Sequence, residues 1–361
     1  MKVVAVSDVT LGYGTPQLPL LTRSLVEHYR GEGEIVEPAQ PESPPRHELF
    51  PGIRIRRIGL STHPHSERGR QEYIRRATGL VDGLDPDVLV IACTYSLPVL
   101  FRLKRRPKQV IYYATESISF YGPFDEDMNR LTDGLVDLVI FPEENRAAIA
   151  VRQFGFESAK KVVMYNVTRP LSPTPPLPRS QRNGRLVYAG TLHLEQTLAR
   201  YFLYKKMLRV PVDLFGQLKM SLAEREQFLI GLTGAARYRG YVTARELDEV
   251  RRAYMYSIVM WNPLNENQLY AAPNKMFESI ADGVPPICAP HPQCKLILNR
   301  YRCGILMPDW SFEGFYSGIQ QAKRMLSNGG WEEMAGNCAR ATSEELNWEQ
   351  QFSKVRKHLL G

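Results

Sequence analysis

What most constrains the fold of this 361-residue chain is an alternation of short, fully apolar runs with longer amphipathic stretches, played through twice. Residues 2–6 read Lys-Val-Val-Ala-Val and residues 87–92 read Asp-Val-Leu-Val-Ile-Ala. A strand with no polar face must be covered on both sides, which is the situation of a parallel sheet between helical layers. Further runs predict strands at 53–58, 109–114, 137–141 and 161–165 in the first half. In the second half they predict strands at 185–189, 212–215, 237–241, 257–261 and 285–289. Helical patterns lie between them: Leu18, Leu21, Leu25 and Val26 share one face, and 244–255, 273–282, 310–326 and 331–347 have helical periodicity. Between the halves, Pro170, Pro173, Pro175, Pro176 and Pro178 crowd residues 169–185. Proline can neither donate to a ladder nor sit inside a helix, so this stretch reads as an extended linker. The expected organisation is a Rossmann-like α/β domain over 1–168, a linker over 169–185, and a second such domain over 186–345. A basic amphipathic helix over 346–361 is expected to pack back on the first domain.

With 43% apolar and 23% charged residues the chain can build cores, and its length suits two of them. The net charge of +8 favours anionic partners without choosing among them. The basic residues are scattered except for Arg102, Lys104, Arg105, Arg106 and Lys108. No helix-turn-helix, zinc-finger or RNA-recognition signature is present, so nucleic acid is not an expected partner. The basic run reads as a solvated face or, with Phe101 and Leu103 beside it, as a peripheral contact with an anionic membrane. Five cysteines without a CxxC pair argue against structural zinc, and Cys93 reads as a buried thiol. The N-terminus is a strand rather than a signal peptide, and no stretch of about eighteen apolar residues occurs. A cytoplasmic protein is expected.

The segment richest in chemistry runs from Tyr270 to Ile287. Asn274, following Pro273, is a plausible N-cap; Lys275 and Glu278 share a helix face; Met276, Phe277, Ile280 and Ala281 form the opposite one; and Gly283 suits a left-handed terminus. Such a helix start at the mouth of a parallel sheet favours an anion such as a diphosphate. Lys275 would add charge, and Glu278 could accept hydrogen bonds from ribose hydroxyls. The bland alternative is a surface ion pair worth a few tenths of a kcal/mol.

The order Pro273-Asn274-Lys275-Met276-Phe277-Glu278, followed by Ala281, Gly283 and Pro285, resembles the donor-binding helix of GT-B glycosyltransferases of the family-four type. Other stretches are similar to family motifs in the same order: Tyr188-Ala189-Gly190-Thr191, Leu214-Phe215-Gly216, Arg239-Gly240-Tyr241-Val242 with Glu246-Leu247, Val163-Met164-Tyr165-Asn166, and Trp348-Glu349. The resemblance implies two Rossmann-like domains with parallel sheets facing across a cleft, a nucleotide-diphosphate sugar as substrate with UDP the expected nucleotide, and transfer with retention. It places donor-binding roles on Gly190, Thr191, Gly216, Tyr241, Pro273, Asn274, Lys275 and Glu278. Three departures stand out. Tyr270 occupies the place of a first glutamate, the basic pair expected after Gly190 is missing, and Thr115-Glu116 stands where a His-Asp pair is usual.

Outside that helix, Gly12, Tyr13 and Gly14 form a loop that either merely turns or approaches phosphate or acceptor. Glu116 is either a solvated loop carboxylate or a group on the acceptor hydroxyl, and Asp8 and His193 also stand at strand ends. The expected function is sugar transfer to a hydroxyl of a glycan, lipid-linked or small-molecule acceptor, catalysed by Lys275, Glu278 and Glu116, with no metal and no separate cofactor. The alternatives are a sugar-nucleotide epimerase and a non-catalytic nucleotide-sugar-binding subunit.

Overall fold

The computed structural model describes residues 1–11, 16–39, 52–118, 123–168, 175–232 and 234–360. They divide into two compact units, Met1–Thr168 with Gln351–Gly361, and Arg169–Gln350.

The first unit is a seven-stranded parallel sheet: β1 (Lys2–Val6), β2 (Glu32–Pro38), β3 (Ile53–Ile58), β4 (Val88–Ala92), β5 (Gln109–Tyr113), β6 (Leu138–Phe141) and β7 (Lys160–Val163). The spatial order is β3-β2-β1-β4-β5-β6-β7. Its helices are α1 (Gln17–Tyr29), α2 (Glu67–Leu84), α3 (Pro123–Leu131) and α4 (Glu144–Phe154), with a 3-10 helix at Thr94–Arg102 after β4. The sequence pattern does not predict β2, because Glu32, Glu34 and Glu37 mask its apolar content. The structure buries Glu34 and Glu37 and pairs them with Arg56 at 2.6 Å and Arg57 at 2.5 Å on neighbouring β3. The two charged strands neutralise each other, which lets a Glu- and Arg-bearing pair sit at the sheet edge. The C-terminal residues complete this unit: Tyr165 N–H donates to Gln351 Oε1 at 2.9 Å, and Gln109 Nε2 donates to the His358 carbonyl at 2.9 Å.

The second unit repeats the plan with six parallel strands: β8 (Leu186–Ala189), β9 (Val212–Phe215), β10 (Ala236–Gly240), β11 (Tyr256–Val259), β12 (Pro286–Cys288) and β13 (Ile305–Leu306). Their order is β10-β9-β8-β11-β12-β13. The two-residue β13 is too short to read as a periodic run. Helices α5 (Leu222–Gly231), α6 (Ala244–Arg251), α7 (Glu266–Leu269), α8 (Asn274–Ala281), α9 (Pro292–Tyr301), α10 (Phe312–Ser327) and α11 (Gly330–Glu344) follow, and α12 (Trp348–Arg356) ends the chain. Helix α6 stops four residues before the expected end at Met255. There the chain tightens into i→i−3 bonds, Ala253 to Val250 and Tyr254 to Arg251, and buries Tyr254 and Met255. Of the stretch read as linker, residues 169–174 lie outside the described residues, and the remainder packs on the second unit. The buried Arg182 guanidinium donates to the carbonyls of Leu177, Tyr254 and Gly283 and stacks over Trp331.

Both sheets carry a topological switch point, where the strand order reverses: β1/β4 in the first unit and β8/β11 in the second. In doubly wound sheets the crevice outside the carboxyl ends of the strands opens at that point.

Candidate functional site

In the second unit, helix α8 follows the β11 loop and so begins at the carboxyl edge beside the switch point. Its buried face is Met276, Phe277 and Ile280, and Ser279 fastens its end by donating to the Val284 carbonyl at 2.7 Å. The expected cap differs: Pro273 is the N-cap residue and Asn274 the first helical one, and the Pro273 side chain makes no cap bond. Proline has no side-chain acceptor, so the N-cap residue itself leaves the first N–H groups of α8 to other partners. Gly283 takes the left-handed conformation at φ 65°.

Lys275 and Glu278 do share a face: Lys275 Nζ donates to Glu278 Oε2 at 2.9 Å, with the lysine 39% and the glutamate 13% exposed. The partner that sequence reasoning missed is Arg251, at the end of α6. Its guanidinium is 2% exposed and reaches Glu278 at 2.8 Å, Asp282 at 2.6 Å and Asp248 at 2.9 Å. Burial opposes its charge, but the three carboxylates outweigh that and hold it above its ordinary pKa. Glu278 therefore belongs to a buried ionic cluster rather than a surface pair, and its rotamer is fixed from behind. A signal did exist, since Glu278 and Asp282 are like charges four apart on one helix, which is unfavourable without a cation between them.

The neighbouring strand ends are built on backbone contacts. Gly190 N–H donates to the Phe215 carbonyl at 3.0 Å, and Gly216 N–H to the Gly240 carbonyl at 2.9 Å. A Cβ on Gly216 would lie 1.7 Å from the Gly190 oxygen, and its φ is 139°. Only glycine lets these strand ends approach so closely. Thr191 is exposed, and Tyr241, after β10, is 59% exposed. Glu246 is occupied as the return half of a capping box with Thr243. His193 is also engaged locally, because its Nδ1 accepts the Glu195 and Gln196 N–H groups at 3.2 and 3.1 Å and closes the loop after β8.

His291 is a second missed residue. It is buried at the end of β12, stacked on Trp261 with 3.9 Å between ring centroids. Trp310 Nε1 donates to its Nε2 at 3.3 Å, and its Nδ1 lies 3.2 Å from the Leu269 carbonyl. Its Nε2 also lies 3.1 Å from the Trp261 carbonyl, so the ring sits between two backbone carbonyls and ties down the loop that leads into α8. Burial lowers its pKa from 6.5 to about 4. Between those values the unfolded chain binds more protons than the fold, so the second unit loses stability as pH falls from 6.5 to 4. The loss should total about 3 kcal/mol. All four tryptophans fall between 261 and 348, so their fluorescence reports this unit alone. Urea titrations followed at 350 nm should show that slope, and His291→Gln should abolish it.

In the first unit the switch point gathers Asp8 after β1, Cys93 after β4, Thr115 and Glu116 after β5, and Arg146 in the first turn of α4. Cys93 Sγ lies 2.8 Å from Thr115 Oγ1, and Cys93 holds φ 66° and ψ 157°, a conformation that L-residues rarely adopt. Arg146 donates to the Thr115 carbonyl at 2.7 Å and to Glu116 at 3.3 Å, so Glu116 is a paired carboxylate at the rim. Burial raises the Asp8 carboxyl to about 7 against hydrogen bonds from its own backbone and Cys93, and Glu116 adds to the rise. Asp8 therefore has the pKa of a working acid or base, the role expected from sequence for Glu116. Gly12, Tyr13 and Gly14 lie outside the described residues.

The basic run is largely neutralised. Arg105 pairs with Asp85, Arg106 with Asp137 at 2.9 Å and Lys108 with Asp87 at 2.7 Å, which leaves the side chains of Arg102 and Lys104 without an acidic partner among the described residues. Among the described residues no group of three or more His, Cys, Asp or Glu is placed to hold a metal, and no helix is long and apolar enough to cross a membrane.

No protein-family model matches the sequence, and no curated protein matches it. Solved structures do share its fold. A sucrose-phosphate synthase from Thermosynechococcus elongatus is 14% identical, with a TM-score of 0.72 over 99% of this chain and 98% of that one. HepE of Anabaena, solved with UDP and glucose, gives the same identity, TM-score and coverage. WaaG, a glycosyltransferase involved in lipopolysaccharide biosynthesis, is 10% identical with a TM-score of 0.70, covering 99% of this chain and all of its own. The chain thus has the GT-B fold of two Rossmann-like α/β domains.

Proposed function

We propose that this chain is a glycosyltransferase that moves a sugar from a nucleotide-diphosphate sugar, UDP being the expected nucleotide, to an acceptor hydroxyl. The observation that carries the reading is the start of α8 at the β8/β11 switch point, with Lys275 beside it and Glu278 locked by Arg251. The fold shared with enzymes of this class supports it, as does the binding of UDP by HepE.

In this reading the helix dipole and Lys275 stabilise the negative charge that grows on the diphosphate as the glycosidic bond breaks. Glu278 accepts hydrogen bonds from the ribose, and the close-set Gly190 and Gly216 let backbone approach the donor. Tyr241 offers an exposed ring to the base. Retention at the anomeric carbon and the absence of a metal requirement belong to the same proposal.

Glu278→Ala should weaken UDP binding at least tenfold, since a charged hydrogen bond contributes about 1.5–3 kcal/mol. Arg251 keeps Asp248 and Asp282, so the fold should persist. Calorimetric titration of UDP into both proteins checks this, and equal affinities would remove Glu278 from the site. Product formed by the purified chain from donor plus acceptor separates a transferase from a binding subunit, and its absence without acceptor separates it from an epimerase.

A further inference from the structure

The described part of the first unit holds a cavity of about 990 Å³ that the donor reading does not use, between α2 and the 3-10 helix after β4. Arg70 and Arg75 of α2 and Arg102 at the end of the 3-10 helix line it, and Ile74, Pro98 and Met128 form its apolar surface. Arg75 and Arg102 have no acidic partner among the described residues, in contrast to the paired Arg105, Arg106 and Lys108 nearby. Arg70 lies over the Tyr95 ring at 4.5 Å, a cation–π contact that holds its guanidinium beside the cavity. Surface arginines normally find solvent or a carboxylate. Three lining one hollow, two of them without an acidic partner among the described residues, make a site for an anion.

We propose that this cavity binds a saccharide carrying a phosphomonoester. Among the described lining residues, three arginines stand against the single carboxylate of Glu67, an excess of positive charge, while burial lowers the pKa of His65, the cavity's imidazole. A phosphomonoester carries about −1.5 to −2 near neutral pH, opposite in sign to that excess. The apolar surface suits the face of a sugar ring, and the volume exceeds what a bare phosphate fills. The cavity also leads to the switch point: His65 lines it, and His65 Nε2 lies 3.3 Å from the Asp8 carbonyl. Naming the saccharide as the acceptor rests on the transferase reading. The binding itself does not.

The test is calorimetric titration of the full chain with glucose 6-phosphate, glucose and inorganic phosphate. Glucose 6-phosphate should bind saturably and roughly tenfold more tightly than either fragment. Arg75→Gln with Arg102→Gln should weaken it roughly tenfold or more, without changing Tm, because both side chains are exposed. A UDP titration of the same samples should be unaffected, so failure of this site and failure of the donor site are read separately. Vesicles of phosphatidylcholine with phosphatidic acid distinguish the source. Competition with glucose 6-phosphate assigns a lipid-borne phosphomonoester, and its absence assigns a soluble one. No saturable binding of glucose 6-phosphate, or equal binding by the double variant, overturns the proposal.

Discussion

Replacing Arg251 with leucine is expected to destabilise the second unit by about 3–5 kcal/mol, lowering its Tm by roughly 10 °C. The guanidinium is 2% exposed and serves Asp248, Glu278 and Asp282 at once. Leucine fills much of the space but takes the shared cation away from three crowded carboxylates. Removing one partner of a buried ionic group leaves the others' charge uncompensated, which is worse than never having had the group. Arg251→Lys should fall between the two, because an ammonium keeps the charge but cannot present a planar fork to three acceptors. Tryptophan fluorescence during thermal unfolding isolates the effect to this unit. A Tm change of only a degree or two would mean that packing, not the ionic cluster, holds α6 to α8. The nucleotide affinity of Arg251→Lys should fall as well, since Glu278 loses the partner that sets its rotamer.

Gly216→Ala should be of similar size. The new methyl would lie 1.7 Å from the Gly190 oxygen and 2.7 Å from its carbonyl carbon, both backbone atoms that no rotamer change can move. The backbone at φ 139° adds strain of its own. Strain of about 1–3 kcal/mol and overpacking of about 1–3 kcal/mol together predict a loss of roughly 2–6 kcal/mol. The strand ends of β8 and β9 must separate to admit the methyl, which would also disturb the hydrogen bond from Gly190 to Phe215. Chemical denaturation followed by tryptophan fluorescence measures this directly. A neutral result would show that the two loops yield easily and that the close approach has no structural consequence.

The parts of the fold that can be read in advance are those where pattern follows from burial. Strands β1, β4, β5 and β9 are apolar on both faces or nearly so, and they stand within a residue of where the runs place them. Strand β2 cannot be read this way, since its stability depends on Arg56 and Arg57 of another strand, a relation that no local window contains. The site divides along the same line. The pairing of Lys275 with Glu278 is an i,i+3 relation within one helix and is legible in sequence. Arg251 is 27 residues from Glu278, and His291 is 22 from Leu269, so both contacts arise only from the way the sheet is wound. Asp8 illustrates a third kind of limit. Its position after β1 is visible, but its raised pKa comes from burial beside Cys93 and Glu116, which alignment of strand ends creates. Gly216 is visible as part of a motif, while its reason, the approach of the Gly190 carbonyl, belongs to the tertiary structure.

If the start of α8 receives the diphosphate of a nucleotide sugar, hydrogen–deuterium exchange with and without saturating UDP will register it there. Slowed exchange is expected at the amides of Asn274–Phe277, together with those of Gly190–Leu192 and Gly216. Saturating UDP that leaves these amides unchanged, or that protects only the first unit, would contradict it.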